Sequence, residues 1–316
     1  MFLSCGDALF DLFVETGDDV AQIALAGRVG GSPLNVALGL ARLGHPAGFF
    51  TKVSRDIFGT RIRGFMEREA IDQQFLIPTD RNTTLAMVSL AADGSAAYDF
   101  YIEGTADRSV EPSDVPAEFP EALAAIHVAS YSTVTEPTAT ALMKLVRQES
   151  GRRFISYDPN IRTAIEPDID TWRAKVAELV PFAGLVKASE EDLEQLYPGR
   201  AAEAVLADWV GAGAEMAVVT RGENGAVALT GGGVAATVAG QRIVVADTVG
   251  AGDTFQAALL AALKERGQLS RAALKQADQA SVESLLRFAV GAAAVTCSRR
   301  GADLPRRADL GLPPLA

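Results

Sequence analysis

The chain has 316 residues, of which 48% are hydrophobic and 22% are charged, a composition typical of one large α/β domain or two smaller ones. The net charge of −11 argues against nucleic acid or an anionic membrane surface as a partner. Two cysteines, Cys5 and Cys297, cannot form a disulfide framework. Because neither a leader pattern nor a run of 18 apolar residues occurs in the sequence, we expect a cytoplasmic protein.

Short apolar runs alternate with helical patterns along most of the chain. The predicted strands cover residues 2–5, 49–53, 126–129, 154–157, 185–187 and 216–219, with a further apolar run at 8–14. The first predicted helix has Ser32 as its N-cap, Pro33 in its first turn and Gly44 after its end. This alternation predicts a doubly wound, mainly parallel sheet flanked by helices, with ligands at the carboxyl ends of the strands.

Residues 72–105 interrupt the alternation. Residues 85–90 and 97–102 have the composition of strands, and Asp93-Gly94 between them is typical of a hairpin turn. We expect this hairpin to form a small lid over the strand ends; an antiparallel extension of the main sheet is the alternative. The predicted organisation is therefore an α/β core of residues 1–71 and 106–316 with a β lid at 72–105, and the proline-rich stretch 111–120 is the return linker.

A run of small residues late in the chain predicts an anion site. The segment reads Asp247-Thr248-Val249-Gly250-Ala251-Gly252-Asp253-Thr254-Phe255 and leads directly into a helical pattern. Small residues allow a tight turn that exposes backbone N–H groups, and the helix adds unpaired amides and its positive dipole end, which suits phosphate. Since phosphate repels a carboxylate that is not there to take a proton, we predict phosphoryl transfer with Asp253 as general base, kept ionised by the dipole. Alternatively, Asp253 is only a helix cap.

Two segments resemble the signatures of the ribokinase-like (PfkB) carbohydrate kinases. They are Gly30-Gly31-Ser32-Pro33-Leu34-Asn35-Val36-Ala37, running on to Leu43-Gly44, and residues 247–259. The resemblance spans essentially the whole chain. It implies a doubly wound α/β fold with a β lid, and transfer of the γ-phosphoryl group of ATP to a sugar or nucleoside hydroxyl. It also implies a catalytic turn formed by Gly250, Ala251, Gly252 and Asp253.

The resemblance further implies a sugar site. Glycines let a ligand approach the backbone, and amides both donate to and accept from hydroxyl groups. The implied substrate-binding residues are Asp7, Asp11, Gly30, Gly31, Asn35, Asn160 and Arg162. Asp11 matches the family spacing better than Asp7, and one of the two could be a solvated loop residue. Arg162 could instead form a structural pair with Asp158, and Asn35 could be an amide on the helix surface.

For the nucleotide, the resemblance implies ATP with Mg²⁺. Thr220, Gly222 and Gly225 follow a predicted strand and would border the phosphates and ribose, although the glycines could be only hairpin residues. Ser189 and Asp192 stand at the ends of the family's Asn-x-x-Glu motif, so that Ser189 replaces the usual amide. Asp192 would order water around Mg²⁺, which prefers to keep its waters.

Two further features of the nucleotide side follow from the resemblance. The backbone carbonyls of Asp247 and Val249 would bind a monovalent cation such as K⁺. An Ala-rich helix predicted at 288–301 would flank the adenine, with Val290 where related enzymes often have Asn.

Three stretches are similar to the bacterial fructokinases of this family: residues 30–37, Tyr98-Asp99-Phe100-Tyr101 with Gly104-Thr105-Ala106-Asp107, and Arg299-Arg300-Gly301-Ala302. We therefore predict ATP-dependent phosphorylation of D-fructose. The alternatives are a 2-keto-3-deoxygluconate kinase or another sugar or nucleoside kinase, and, more remotely, a non-catalytic ligand-binding protein of the same fold. The exposed edge of the lid suggests a homodimer. The sequence has no Gly-Lys pair for a Walker phosphate loop and no dinucleotide fingerprint after the first strand.

Overall fold

The computed structural model describes residues 1–15, 19–90 and 96–315. Within these residues the strands are β1 Phe2–Cys5, β2 Leu9–Glu15, β3 Ala24–Gly30, β4 Ala47–Ser54, β5 Leu76–Thr79, β6 Thr84–Leu90, β7 Ala96–Tyr101, β8 Ala125–Ala129, β9 Phe154–Asp158, β10 Leu185–Ser189, β11 Met216–Thr220, β12 Ala226–Thr230 and β13 Ala235–Val238. The α-helices are α1 Ser32–Arg42, α2 Ile57–Arg68, α3 Thr138–Glu149, α4 Ile169–Leu179, α5 Glu190–Leu196, α6 Ala202–Gly211, α7 Ala251–Glu265, α8 Arg271–Lys275 and α9 Gln279–Cys297. The predicted turn at Asp93-Gly94 lies outside the described residues.

The larger sheet confirms the predicted doubly wound architecture. Its described strands run in the order β13-β12-β11-β10-β9-β8-β1-β4-β5. Neighbours from β11 to β5 are parallel, and β12 and β13 are antiparallel. The chain moves from β1 to β4 and β5 on one side, and then to β8 through β11 on the other. The direction of winding therefore reverses between β1 and β8, which is where open α/β sheets bind ligands.

Helices cover both faces of this sheet. One core contains apolar residues of α1, α7 and α9, and the other contains those of α3, α4, α5 and α6. Every residue of β1, β8 and β9 is buried, as expected for central parallel strands that are covered by helices on both faces. Helix α9 is long and apolar enough to cross a membrane by length and composition, but its apolar residues belong to the core beside α7, and core helices meet the same criteria.

A second, smaller sheet has the order β3-β2-β6-β7. Strand β2 pairs antiparallel with β3 and parallel with β6. The sequence predicts β2 and β3 as part of the core, whereas their pairing assigns them to the smaller sheet. It predicts residues 76–79 as part of the lid, whereas β5 extends the larger sheet beside β4. Strands β6 and β7 pair antiparallel. Because an isolated pair of strands is marginally stable, β2 and β3 give this pair the neighbours it needs. The division into two domains stays a prediction.

A buried carboxylate joins the smaller sheet to the core. Asp107 accepts hydrogen bonds from the hydroxyl of Thr84, at the start of β6, and from the hydroxyl of Tyr131, which follows β8, at 2.5 Å. Thr105, which follows β7, donates to the same carboxylate. Burial raises the pKa of Asp107, and the hydroxyl hydrogen bonds partly oppose this. One side chain therefore holds both ends of the 84–101 segment against the core.

Replacing Tyr131 with Phe should destabilise the fold by about 1–3 kcal/mol, the range for a buried polar group that loses its partner. The lost hydroxyl lowers the pKa of Asp107 in the parent, so the variant carboxyl has a still higher pKa. A raised carboxyl pKa costs stability as pH rises through it, and the deficit should therefore be larger at pH 8 than at pH 5. Urea unfolding at both pH values measures this. Tyr101→Phe, on the exposed surface of β7, is the matched control and should be neutral.

Candidate active site

Asp253 lies where the two signature segments meet. Helix α7 begins at Ala251 after Gly250, whose φ of 79° is left-handed and suits glycine. Asp253 is buried in the first turn. Its Oδ1 accepts a hydrogen bond from Ser32 Oγ at 2.7 Å, and its Oδ2 accepts one from Asn35 Nδ2 at 2.8 Å. The cap is Gly250, so Asp253 is not the helix cap, and Asn35 is a buried ligand of the carboxylate rather than a surface amide.

Burial raises the pKa of Asp253 above its ordinary value. The hydrogen bonds from Ser32 and Asn35 and the charges of Lys187 and Arg162 oppose this only in part. The direction is opposite to the one expected from the helix dipole, because desolvation of the charged form outweighs it. A base whose pKa lies closer to the working pH is better suited to proton transfer.

Ser32 has a different role from the predicted one. The N-cap of α1 is Gly31, whose φ is 114°, and the turn into the helix therefore comes one residue earlier than predicted. Ser32 is the first helical residue. Its hydroxyl donates to Asp253 and accepts from Asn160 Nδ2 at 2.7 Å. The sequence signal for this role was its place inside the first signature, which the general preference of serine for N-caps obscured.

The loop after β9 contributes Asn160 and Arg162 to the site. Asn160 has a φ of 42°, a left-handed conformation that Asn tolerates better than most residues, and this aims its amide at Ser32. Arg162 is exposed and donates to the carbonyl of Ile161 at 2.8 Å. Its charge lowers the pKa values of Asp7, Asp11 and Asp253, so it faces the same space. The alternative pairing with Asp158 is not formed, since Asp158 pairs with Lys187.

Asp11 reaches the site from the smaller sheet. It lies on β2 beside β3, and a side chain at Gly30 would overlap its carboxylate. Glycine at position 30 therefore makes room for Asp11. Burial raises the pKa of Asp11 to about 6; the charge of Arg162 lowers it and that of Asp253 raises it.

Asp7 is held differently. Its Oδ1 accepts from Ser132 Oγ at 2.8 Å, and its Oδ2 accepts from the backbone N–H of Ser32 at 3.2 Å. A side chain at Gly31 would overlap the Asp7 carbonyl. Burial, followed by the charge of Asp107, raises the pKa of Asp7 to about 7. These contacts tie the loop after β8 to the start of α1, and a sugar-binding role for Asp7 stays a prediction.

The turn before α7 offers backbone donors. The N–H of Ala251 donates to the carbonyl of Thr248, and that of Thr254 donates to Gly250. Among the described residues, the N–H groups of Gly252 and Asp253 have no acceptor. They lie at the positive end of a 15-residue helix, where an anion is stabilised. The geometry therefore fits the predicted anion site.

Lys187 was not identified from the sequence as a site residue. It lies in β10, buried, and its Nζ donates to Asp158 Oδ2 at 2.8 Å. The Nζ is 2.9 Å from where a Cβ on Gly252 would be. The available signal was a lysine inside an apolar strand, since buried lysines are rare unless paired.

Ser189 and Asp192 form a capping box at the start of α5. Asp192 Oδ2 accepts from the N–H of Ser189, and Oδ1 accepts from the N–H of Ile161, both at 2.8 Å. The carboxylate thereby holds the Asn160 loop in place. No group of three or more His, Cys, Asp or Glu side chains in the described ranges could hold a metal ion. The role of Asp192 in ordering water around Mg²⁺ stays a prediction.

On the nucleotide side, Thr220, Gly222 and Gly225 lie at the turn between β11 and the antiparallel β12. Gly225 has a φ of 89°, so turn geometry alone explains that glycine, and the predicted phosphate contacts stay a prediction. A cleft of about 380 Å³ opens nearby between β13 and α9. It is lined by Thr237, Val238, Ala239, Gln241, Arg287 and Val290. Only Val290 was anticipated, because the other lining residues carry no motif.

The loops flanking the turn are joined by Asp247. Its Oδ1 accepts from the N–H of Val249 at 3.1 Å, and its Oδ2 accepts from the N–H of Gly301 at 2.8 Å. Within the described chain, the backbone carbonyls of Asp247 and Val249 accept no hydrogen bond and are available to a cation. Arg28, on β3, donates to the carbonyl of Arg300 at 3.2 Å, which connects the smaller sheet to this loop.

Comparison with known proteins gives consistent matches over nearly the whole chain. The sequence model described as "pfkB family carbohydrate kinase" matches residues 3–309. A fructokinase from Rhizobium leguminosarum bv. trifolii is 33% identical over 307 residues, covering 97% of this chain and 91% of that protein. The structure of Xylella fastidiosa fructokinase with bound ATP has a TM-score of 0.87 at 25% identity, covering 98% of this chain and 96% of that one. Vibrio cholerae O395 fructokinase with fructose, ADP and calcium bound has a TM-score of 0.81 at 28% identity, covering 98% and 97%.

Proposed function

This chain belongs to the pfkB family of carbohydrate kinases, and we propose that it transfers the γ-phosphoryl group of ATP to a hydroxyl of D-fructose. The observation that carries the proposal is the Asp253 carboxylate, oriented by Ser32 and Asn35 beside two backbone N–H groups that have no acceptor among the described residues. A base and an anion site within one helical turn suit phosphoryl transfer to an alcohol. The fructokinases that resemble the chain over its whole length support fructose as the acceptor.

The reaction follows from these positions. The fructose oxygen forms a bond to the γ-phosphorus while its proton passes to Asp253. The bond from that phosphorus to the β–γ bridging oxygen breaks, and its electron pair leaves with ADP. The N–H groups of Gly252 and Asp253 face the charge on the transferring group, which is spread over its outer oxygens. Asp253 returns its proton to solvent after product release.

The charges around the sugar site favour a neutral sugar. Asp7, Asp11 and Asp253 are all buried or nearly so, and Arg162 is the cation whose charge reaches all three. Carboxylates accept hydrogen bonds from hydroxyl groups, which fructose supplies. A 2-keto-3-deoxygluconate carboxylate would lie close to these three carboxyl groups, so this second candidate depends on the charge of Arg162. Asn35 and Asn160 complete the polar lining.

For the nucleotide, we propose that the base occupies the cleft between β13 and α9 and that the γ-phosphate reaches the turn before α7. Mg²⁺ would be carried mainly by the phosphates and water, since the Asp192 carboxylate is already engaged by backbone N–H groups. The carbonyls of Asp247 and Val249, which accept no hydrogen bond from the described residues, would bind K⁺.

A homodimer through the smaller sheet and a cytoplasmic location complete the proposal. The exposed side chains of Val14, Leu25 and Tyr101 on that sheet support the dimer. Light scattering of the purified protein tests it.

The function is tested by measuring ADP release with a panel of acceptors: fructose, 2-keto-3-deoxygluconate, ribose and adenosine. We expect fructose to give the highest kcat/KM and a stoichiometric sugar phosphate product. A higher kcat/KM for another acceptor would overturn the choice of substrate. ADP release with none of the acceptors would overturn the assignment as a sugar kinase.

Fructose affinity should depend on the ionisation of Asp11. Its pKa of about 6 leaves it ionised at pH 8, where it accepts from sugar hydroxyls, and protonated at pH 5, where it loses an acceptor. Fructose should therefore bind more weakly as pH falls through about 6. Asp11→Asn should bind fructose at least about tenfold more weakly at pH 8, given about 1.5–3 kcal/mol for a hydrogen bond to a charged group.

Isothermal calorimetry without nucleotide measures this dependence. In Asp11→Asn the pH dependence should be weaker, and what remains is expected from Asp7 and Asp253, whose pKa values are also raised. Asp99→Asn, on the exposed surface of β7 in the same sheet, is the matched control and should behave like the parent. Unchanged fructose affinity in Asp11→Asn would remove Asp11 from the sugar site.

A further inference from the structure

We propose that Lys187 is a further catalytic residue, whose ammonium group contacts the transferring phosphoryl group beside Gly252. The proposal rests on the kinase function proposed above. It adds a side-chain cation to a site described so far by backbone N–H groups and Asp253.

Lys187 lies beside Asp158, near the end of β10. Strands β9 and β10 are parallel and in register, with Leu185 beside Ser156 and Val186 beside Tyr157. Continuing this register brings Lys187 next to Asp158 at the carboxyl ends of both strands. The Nζ then lies 2.9 Å from the Cβ position of residue 252. Any side chain at 252 would compete with the ammonium for this space.

The ammonium group of Lys187 has more hydrogen-bond donors than it has acceptors among the described residues. An ammonium carries three donors, and within the described residues Asp158 Oδ2 is the one acceptor it reaches. The lysine side chain is only 4% exposed, so bulk water does not readily satisfy the remaining donors. Two donors are therefore left on a buried cation that adjoins the unpaired N–H groups of Gly252 and Asp253. Three oxygens of a phosphoryl group would satisfy all of these donors together.

The charge of Lys187 also suits contact with a phosphoryl group. Burial lowers the pKa of Lys187, but Asp158, Asp192 and Asp253 together raise it above its ordinary value. Lys187 is therefore charged at neutral pH. Asp158 supplies one counter-charge to it, and the γ-phosphoryl group would supply more. As the phosphoryl group moves from ADP to the sugar oxygen, the ammonium remains beside it and offsets the repulsion between its oxygens and Asp253.

A purely structural reading competes with this proposal: Lys187 could serve only to neutralise the buried Asp158. Lys187→Met alone does not separate the two readings, because it leaves Asp158 buried without a partner and can unfold the protein. The double variant Lys187→Met with Asp158→Asn removes both charges at similar volume. If Lys187 only neutralises Asp158, this variant regains activity. If Lys187 contacts the phosphoryl group, the variant folds and stays impaired.

The test compares the double variant with the parent in fructose-dependent ADP release. We expect kcat to fall by about 10²- to 10³-fold, the range for losing one preorganised donor to the transition state, with thermal unfolding and fructose affinity close to those of the parent. A kcat within the error of the parent overturns the proposal, as does a loss confined to the KM for fructose. If the double variant does not fold, the mutation Gly252→Ala, which crowds the Nζ without removing a charge, serves instead, and normal kcat there overturns the proposal.

A matched control is available elsewhere in the core. Lys52, on β4, pairs with Asp114 at 2.6 Å and is largely buried. Lys52→Met with Asp114→Asn removes a similar ion pair away from the turn and should leave kcat unchanged. The parent, assayed in parallel, separates failure of the kinase function from failure of the role of Lys187. An inactive parent contradicts the proposed function. An active parent with an active double variant contradicts only the role of Lys187.

Discussion

Asp253→Asn is expected to lower kcat by about 10²- to 10⁴-fold, the contribution typical of a general base. The amide cannot take the proton of the sugar hydroxyl, so the loss should appear in kcat. The KM for fructose should change little, because Asn fills the same space between Ser32 and Asn35. Steady-state ADP release with saturating ATP measures both constants. Turnover close to that of the parent would falsify the assignment of Asp253 as the base.

Stability separates a catalytic defect from a folding defect in this variant. Because burial raises the pKa of Asp253, folding stability falls as pH rises from the unfolded-state pKa through the folded-state pKa, and the full cost is present above the latter. Asp253→Asn removes that cost and should be at least as stable as the parent at pH 8. Asp278→Asn is the control for the same exchange at the start of another helix. Asp278 caps α9 at the protein surface, and both its activity and its stability should stay near those of the parent, since Asn is an equally good cap.

Gly252→Ala should be a folded enzyme with about 10²-fold lower kcat, comparable to loss of a donor at an anion site. Residue 252 is within α7, where Ala is more favourable than Gly by about 0.5–1 kcal/mol. The helix itself should therefore not be weakened. The added Cβ would lie 2.9 Å from Lys187 Nζ and would displace either the ammonium or the phosphoryl group. Kinetics at saturating fructose and thermal unfolding together measure the effect.

Gly64→Ala is the matched control for this change. Gly64 lies within α2, and a Cβ there meets nothing within 4 Å. It should show the same gain in helix stability with unaltered kcat. If Gly252→Ala and Gly64→Ala have equal kcat values, the space above Lys187 is not used by the transferring group.

The sequence predicted those features whose signals are local. Apolar runs predicted the parallel strands, and the small-residue segment predicted the turn and Asp253, because tight turns and helix starts depend on a few neighbouring residues. The proximity of Asn35 to Asp253 came from the two signatures rather than from periodicity, since 218 positions separate the two residues.

The features that were missed depend on pairing between distant segments. Strand β2 lies in the smaller sheet because Leu9 pairs with Thr84, and no local pattern specifies that partner. Lys187 meets Asp158 only through the register of β9 and β10. The raised pKa of Asp253 reflects its burial, which depends on how distant segments pack, whereas the helix dipole, which suggested the opposite direction, is visible from its own segment alone.

The contact between Arg28 and the Arg300 carbonyl has a thermodynamic consequence. Arg28 belongs to the sheet that carries Asp11, and the 300–301 loop is fastened through Asp247 to the turn that begins α7. The contact therefore connects the sheet that carries Asp11 to the loop beside the turn that begins α7. Binding linkage is reciprocal. Any factor by which the nucleotide changes affinity for the sugar must equal the factor by which the sugar changes affinity for the nucleotide.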